Sequence, residues 1–181
     1  TDFDPSSFPW IGKILLFDNI GLDENQEPVW SFVGDDFFGD DLGNNLSIDF
    51  GDIDNDGDFD AFIGNFNGTV KFFENIGTEE DFEFNFQENL NNIDLSGYSS
   101  PEICDVNNDG DLDLLIGHMN GTIIYYENIG TENEFNFNLV SENFQEIDVG
   151  FRSSISNYDI DNDNDIDLII GSGYENIAYY S

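Results

Sequence analysis

Basic residues are almost missing from this chain. Three Lys and Arg (Lys13, Lys71, Arg152) face 40 Asp and Glu in 181 residues, a formal net charge of −37. Nucleic-acid binding depends on Lys and Arg displacing counterions from phosphates, so nucleic acid is not an expected partner. An anionic membrane surface is disfavoured for the same reason. The single cysteine, Cys104, excludes an internal disulfide. The single histidine, His118, gives zinc chemistry little footing. No apolar run approaches the ~18–20 residues of a membrane span, so membrane insertion is not expected. The chain starts at Thr1 with neither Met nor a signal-peptide pattern, which suggests a mature form or a piece of something longer.

What is abundant is apolar matter and acid. Hydrophobic residues make up 39% and aromatics 15%, enough for a core in a chain of one-domain length. With so few basic groups, metal cations are the natural counter-charge.

The acid is concentrated in three places. Residues 52–60 read D-I-D-N-D-G-D-F-D, residues 105–113 D-V-N-N-D-G-D-L-D, and residues 159–167 D-I-D-N-D-N-D-I-D. The loops start 53 and 54 residues apart, a period that points to repeat architectures. After each comes an apolar strand ending in Gly: A-F-I-G (61–64), L-L-I-G (114–117) and L-I-I-G (168–171). Then follow a short turn, an aromatic strand (69–77, 122–130, 176–181) and a Phe-rich strand (84–89, 137–144). An earlier aromatic strand, 12–21, and a segment at 29–34 continue the pattern toward the start of the chain. β-branched and aromatic residues between Gly and Asn turns favour the pleated conformation. The strands after the acidic loops are apolar at consecutive positions, as in strands covered on both faces. Four short strands every ~50 residues describe a β-propeller blade.

The expected fold class is therefore all-β: four-stranded antiparallel propeller-type blades with Ca²⁺ loops, in about three repeats of ~54 residues. The expected division is a partial blade over 1–42, a blade over 43–97, a blade over 98–150 and an incomplete blade over 151–181. That is fewer than the four to eight blades with which propellers usually close. Three explanations stand side by side: a segment of a longer propeller, copies that join, or an atypical closed form.

The loop spacing carries chemistry. With Asp52 as position 1, side-chain oxygens fall at positions 1, 3, 5 and 9 (Asp52, Asp54, Asp56, Asp60), and the backbone carbonyl of Asp58 falls at position 7. Calcium takes six to eight oxygens at about 2.3–2.6 Å, which such a loop supplies. Gly57 at position 6 permits the bend. The second site uses Asp105, Asn107, Asp109 and Asp113 with the Asp111 carbonyl, and the third Asp159, Asp161, Asp163 and Asp167 with the Asp165 carbonyl. Asn164 replaces Gly in the third, and Asn tolerates left-handed geometry better than most residues. Asn107 removes one charge from the second site, which is expected to be the weakest or comparable. Asp58, Asp111 and Asp165 are expected to direct their side chains to solvent. An EF-hand requires Glu at position 12 and flanking helices; here position 12 is Ile63, Ile116 and Ile170.

The D-x-D-N-D-G-D-x-D-L-x-I-G core followed by G-T-[IV]-x-[YF]-[YF]-E-N-x-G-T resembles the FG-GAP/VCBS repeats, similar to those of the integrin alpha-chain propeller. The resemblance spans residues 43–181 and, more weakly, 10–42. It implies a β-propeller with Ca²⁺ in the loop between the first two strands of a blade, an extracellular or cell-surface location, and roles in adhesion or ligand binding.

Other residues have plainer readings. Cys104 is expected to be a buried small residue and His118 a surface turn residue. The ring pairs Phe72/Phe73, Tyr125/Tyr126 and Tyr179/Tyr180 are expected to face opposite sides and pack between blades. Trp10 and Trp30 break the repeat and are the candidates for a glycan contact. No nucleophile–base pair or phosphate loop is evident, and outside the loops no singular carboxylate pair stands in an apolar setting suited to acid catalysis, so no catalytic residue is assigned. The functional reading is a non-enzymatic extracellular calcium-binding module for adhesion, ligand binding or assembly. Its partners would be calcium, other copies or the remainder of a longer propeller chain, and a protein or glycan ligand. The alternatives are a lectin and an accessory domain of a secreted hydrolase.

Overall fold

The apolar stretches and Gly/Asn turns fold into thirteen strands in the computed structural model, which describes residues 12–39, 41–78, 82–173 and 177–180. The strands are β1 (Leu16–Leu22), β2 (Pro28–Gly34), β3 (Ser47–Gly51), β4 (Asp60–Gly64), β5 (Thr69–Asn75), β6 (Phe84–Asp94), β7 (Ser99–Cys104), β8 (Asp113–His118), β9 (Ile123–Asn128), β10 (Phe137–Ser141), β11 (Ser153–Tyr158), β12 (Asp167–Ser172) and β13 (Ile177–Tyr180). A single 3-10 turn, Phe144–Glu146, is the one helical element among the described residues. The sheets run β3-β4-β5-β6, β7-β8-β9-β10 and β11-β12-β13, with β1-β2 as a separate hairpin. All pairings are antiparallel between chain neighbours. The all-β architecture of propeller-like blades is thus present, and the blades do not close into a ring. Trp10 and Thr1 to Asp4 lie outside the described residues.

Each acidic loop joins the first two strands of its sheet in the same register. Gly51 pairs with Asp60, Cys104 with Asp113 and Tyr158 with Asp167. Position 9 of the loop is therefore also the first residue of the second strand.

Alternation along the strands assigns each face to a neighbouring blade. Phe62 and Phe72 of the first blade join Ile103, Leu114, Ile116 and Tyr126 of the second in one core. Leu115 and Tyr125, one position over, join Ile155, Leu168 and Ile170 of the third. On the opposite face of the first blade, Ala61, Ile63 and Phe73 pack with Ile14, Phe38 and Leu42. The members of the ring pairs 72/73 and 125/126 therefore do face opposite sides; the Tyr179/Tyr180 side chains lie outside what is described. A fully buried Phe or Leu contributes about 1.5–3 kcal/mol, and Phe62, Leu114 and Leu115 are each 0% exposed.

Blades also touch backbone to backbone. A Cβ added at Gly64 would sit 2.3 Å from the Ser99 carbonyl oxygen, and one at Gly117 would sit 2.2 Å from that of Ser153. Gly64 and Gly117 are thus the places where the next blade's innermost strand crosses. Two serines bind that crossing: the Asn65 N–H donates to Ser99 Oγ at 3.0 Å, and the His118 N–H to Ser153 Oγ at 2.8 Å. Two carboxylates reach across in the same direction. The Ile103 N–H donates to Asp49 Oδ2 at 2.6 Å, and the Asn157 N–H to Glu102 Oε1 at 2.7 Å. Arg152 stacks its guanidinium 4.8 Å from the centre of the Tyr98 ring and 5.7 Å from that of Phe66, tying the third blade to the second and to the first.

Candidate metal loops

The three acidic loops have one hydrogen-bond pattern. The position 1 carboxylate accepts the N–H groups of positions 5 and 6. In the first loop Asp56 and Gly57 donate to Asp52 at 3.1 and 3.2 Å. In the second, Asp109 and Gly110 donate to Asp105 at 3.1 and 2.9 Å. In the third, Asp163 and Asn164 donate to Asp159 at 3.1 and 3.0 Å. The position 5 carboxylate then accepts the position 7 N–H: Asp58 to Asp56 at 2.9 Å, Asp111 to Asp109 at 3.0 Å and Asp165 to Asp163 at 3.0 Å. These bonds curl the backbone so that acidic side chains turn inward.

Two left-handed residues make the curl. Position 6 has φ of 98° at Gly57, 97° at Gly110 and 75° at Asn164, so Asn164 takes the conformation its short polar side chain allows. Position 4 is also left-handed, with φ of 56° at Asn55, 58° at Asn108 and 61° at Asn162. Sequence reasoning passed over this second bend. Its signal was the Asn shared by all three loops.

Carboxylate oxygens of Asp52, Asp54 and Asp56 lie within 4.8 Å of one another, as do those of Asp159, Asp161 and Asp167. In the second loop position 3 is Asn107, whose Oδ1 accepts the Asp109 N–H at 2.9 Å while its Nδ2 donates to Glu127 Oε1 at 3.3 Å. That orientation places the amide oxygen where Asp54 has a carboxylate. At position 7, Asp165 is exposed, whereas Asp58 and Asp111 are half-buried. The Asp165 carboxylate also accepts Asn108 Nδ2 at 3.1 Å, a bond from the second loop to the third. The first loop is clasped instead by the turn after β9: Asn133 Nδ2 donates to the Asp54 carbonyl and Asn55 Nδ2 to the Glu132 carbonyl, both at 3.0 Å.

The position 9 carboxylates are the deepest, with Asp60 2%, Asp113 0% and Asp167 5% exposed. One oxygen of each of the first two is held by the turn that ends the third strand. The Asn75 N–H donates to Asp60 Oδ1 and the Asn128 N–H to Asp113 Oδ1, each at 2.8 Å. Asn75 and Asn128 are themselves buried, and their side-chain oxygens accept two N–H groups each across that turn. The Glu-Asn-Ile-Gly segments are thus coupled to the acidic loops, a role their sequence did not disclose. The remaining oxygen of Asp113 accepts the Tyr125 hydroxyl at 3.0 Å and the Val106 N–H at 3.2 Å. The corresponding Asp60 Oδ2 is buried with no hydrogen-bond partner among the described residues.

Burial is the main cause that raises the carboxyl of Asp60, to about 7, and it also raises Asp54 and Asp113. Asp161 is raised chiefly by the neighbouring Asp163 charge. Bare, these loops hold charge where it is disfavoured; a bound cation would reverse that. The donor set is all oxygen, converging, and includes a buried carboxylate oxygen without a partner, so the residues present fit a hard divalent cation.

The other singled-out residues lie elsewhere. Cys104 is buried and free, and burial, followed by the Glu102 and Asp113 charges, pushes its thiol up. His118 is the last residue of β8 and half-buried, at the strand's end and not in a surface turn as expected, with Nδ1 2.7 Å from Asn120 Oδ1. Trp30 lies on β2, 61% exposed. Among the described residues no helix is long and apolar enough to cross a membrane.

No curated protein matches the chain. Residues 52–116, which run from the first acidic loop to the strand after the second, match the family model of FG-GAP-like repeats, so this stretch is similar to such a repeat within a chain of β-propeller-like blades.

Proposed function

We propose that this chain is an extracellular calcium-binding repeat module, non-enzymatic, in which Ca²⁺ staples the first two strands of each blade and supports adhesion, ligand binding or assembly. The observation that carries the reading is the threefold loop geometry ending in a buried carboxylate, with Asp60 Oδ2 left unpartnered. Calcium would take Asp52, Asp54, Asp56 and Asp60 in the first loop, Asp105, Asn107, Asp109 and Asp113 in the second, and Asp159, Asp161, Asp163 and Asp167 in the third. The carbonyls of Asp58, Asp111 and Asp165 would complete the sets. The ion supplies charge neutralisation, and the protein supplies a pre-curled backbone. Extracellular calcium modules work at about 10⁻⁴–10⁻³ M, a range that suits loops as exposed as these.

Isothermal calorimetry and thermal melts with calcium or with a chelator test the reading. A ligand that binds only the folded state stabilises it by about 2.7 kcal/mol at a hundred times its Kd, so calcium should raise the melting temperature by several degrees. No heat of binding and identical melts would overturn it. The exposure of Trp30 favours a second reading, a glycan contact on the β1–β2 hairpin. A glycan-array signal lost in Trp30→Ala would support it.

A further inference from the structure

We propose that two copies of this chain join head to tail, the uncovered face of β11–β12 in one copy seating on the apolar cleft in front of β3–β4 in the other. The proposal goes beyond the calcium reading to name the partner in assembly, and it rests on blade packing and not on the ion.

The chain uses one kind of interface twice. Ile53 and Phe62 of the first blade pack against Ile103 and Leu112 of the second. One repeat later, Val106 and Leu115 of the second blade pack in a cluster with Ile166 and Leu168 of the third. Both trailing and leading faces of this interface recur in the third and first blades, where the described residues leave apolar side chains exposed. Tyr158, Ile160 and Ile169, equivalent to Cys104, Val106 and Leu115, are 71%, 42% and 37% exposed. A Cβ added at Gly171, equivalent to Gly64 and Gly117, would have its nearest neighbour among the described residues at 3.8 Å, where the other two meet the next blade's serine.

At the other end, Phe50 and Phe59 are the equivalents of Ile103 and Leu112. They are 45% and 66% exposed and line a cleft of about 660 Å³ with Ile14, Leu15, Phe37 and Phe82. The outer part of this face is covered by residues of the N-terminal segment, Ile14 and Phe38 among them; the inner part, at Phe50 and Phe59, is open. A second copy carries both kinds of face, each the repeat-equivalent of a surface that already binds the other kind within the chain, and so can occupy both. The two faces differ, so the contact is heterologous and either closes into a ring or propagates. The net charge of −37 opposes it, so association strengthens with salt.

Sedimentation velocity with calcium, from about 1 to about 200 µM in about 0.5 M NaCl, where the Debye length is about 4 Å, reads the outcome. The wild-type mass should rise to that of two or more copies. A leading-face variant, Phe50→Gln with Phe59→Gln, and a trailing-face variant, Ile160→Gln with Ile169→Gln, should each stay at one copy. Their equimolar mixture should form a 1:1 dimer, because each retains the face the other lost. Tyr158→Gln, at the most exposed trailing position, should weaken self-association at least tenfold and serves if the double variant unfolds. Wild-type mass of one copy throughout, a mixture that stays at one copy, or single-face variants that still self-associate would overturn the proposal. A calcium-induced melting shift kept by either variant separates this result from the fate of the calcium reading.

Discussion

The backbone N–H of Asn75 donates to Asp60 Oδ1 at 2.8 Å across 15 residues of chain, and Asn128 repeats the bond to Asp113. One carboxylate oxygen is thereby fixed by the third strand's closing turn, and the other is left facing the acidic loop. Any ion in the loop is mechanically joined to the far end of the blade.

The pair makes Asp60→Asn informative. An amide still accepts the Asn75 N–H but carries no charge where burial disfavours one. Chelated protein at about pH 8 should therefore melt higher than wild type, by an amount on the order of 1 kcal/mol. The stabilisation gained on adding calcium should shrink. Opposite shifts in the two conditions, read by differential scanning calorimetry, are the expected signature; equal calcium responses in variant and wild type would contradict it.

Two glycines of the same motif should behave differently. Gly117→Ala places a methyl group 2.2 Å from the Ser153 carbonyl oxygen, and overpacking of this kind costs about 1–3 kcal/mol. Gly171→Ala meets nothing nearer than 3.8 Å among the described residues and should fall within about 0.5 kcal/mol of wild type. Urea denaturation of the two variants checks the contrast. In an assembled head-to-tail copy the cost at Gly171 would reappear, so the measurement belongs at low protein concentration.

Glu102 links stability to pH. Burial, with the Asp49 charge second, raises its carboxyl to about 7. The folded state thus binds this proton more tightly than the unfolded chain, whose Glu titrates near about 4.3. The resulting stability is full below that value and is lost as pH rises through about 7. Glu102→Gln keeps an oxygen for the Asn157 N–H and removes the charge. It should raise stability at about pH 8 by about 1–2 kcal/mol, allowing for solvent screening, and flatten the fall between about pH 4.5 and 7. Chemical melts in chelator across that range provide the test.

Protons and calcium should compete for the loops. Asp60, raised to about 7, together with the raised Asp54, Asp113 and Asp161, must be ionised to hold the ion. Apparent calcium affinity should therefore climb about tenfold or more from about pH 6 to pH 7.5. Calorimetric titrations in buffers of different ionisation enthalpy should also show proton release on binding. A pH-independent affinity would go against the involvement of these groups.

Legibility followed chemical singularity. The acidic loops could be read from the chain because alternate aspartates around Gly or Asn are costly without a shared purpose, and β4, β8 and β12 because their apolar runs have few other uses. The innermost strands β3, β7 and β11 were not located. SIDFG, SSPEIC and SSISNY are polar, and one contains proline, so neither alternation nor propensity marks them as strands. Their serines and acids make sense only once a neighbouring blade is in place: Ser99, Ser153, Asp49 and Glu102 all bond across to the adjacent sheet. The second left-handed bend at Asn55, Asn108 and Asn162 and the tether from Asn75 and Asn128 went unread for a related reason. Asn is common in turns of every kind, and its role shows in φ and in partners rather than in identity.

The sequence by itself determined the repeat, its period of about 54 residues, the strand-forming segments and the three oxygen-rich loops, because local sterics, pattern and like-charge crowding act over a few residues. Tertiary structure alone decided which ring faces which blade, which carboxylate is buried and raised, and which apolar side chains stay exposed. Those properties belong to contacts between blades, where a side chain's environment is set by a sheet more than fifty residues away in the chain, and no local pattern encodes that neighbour.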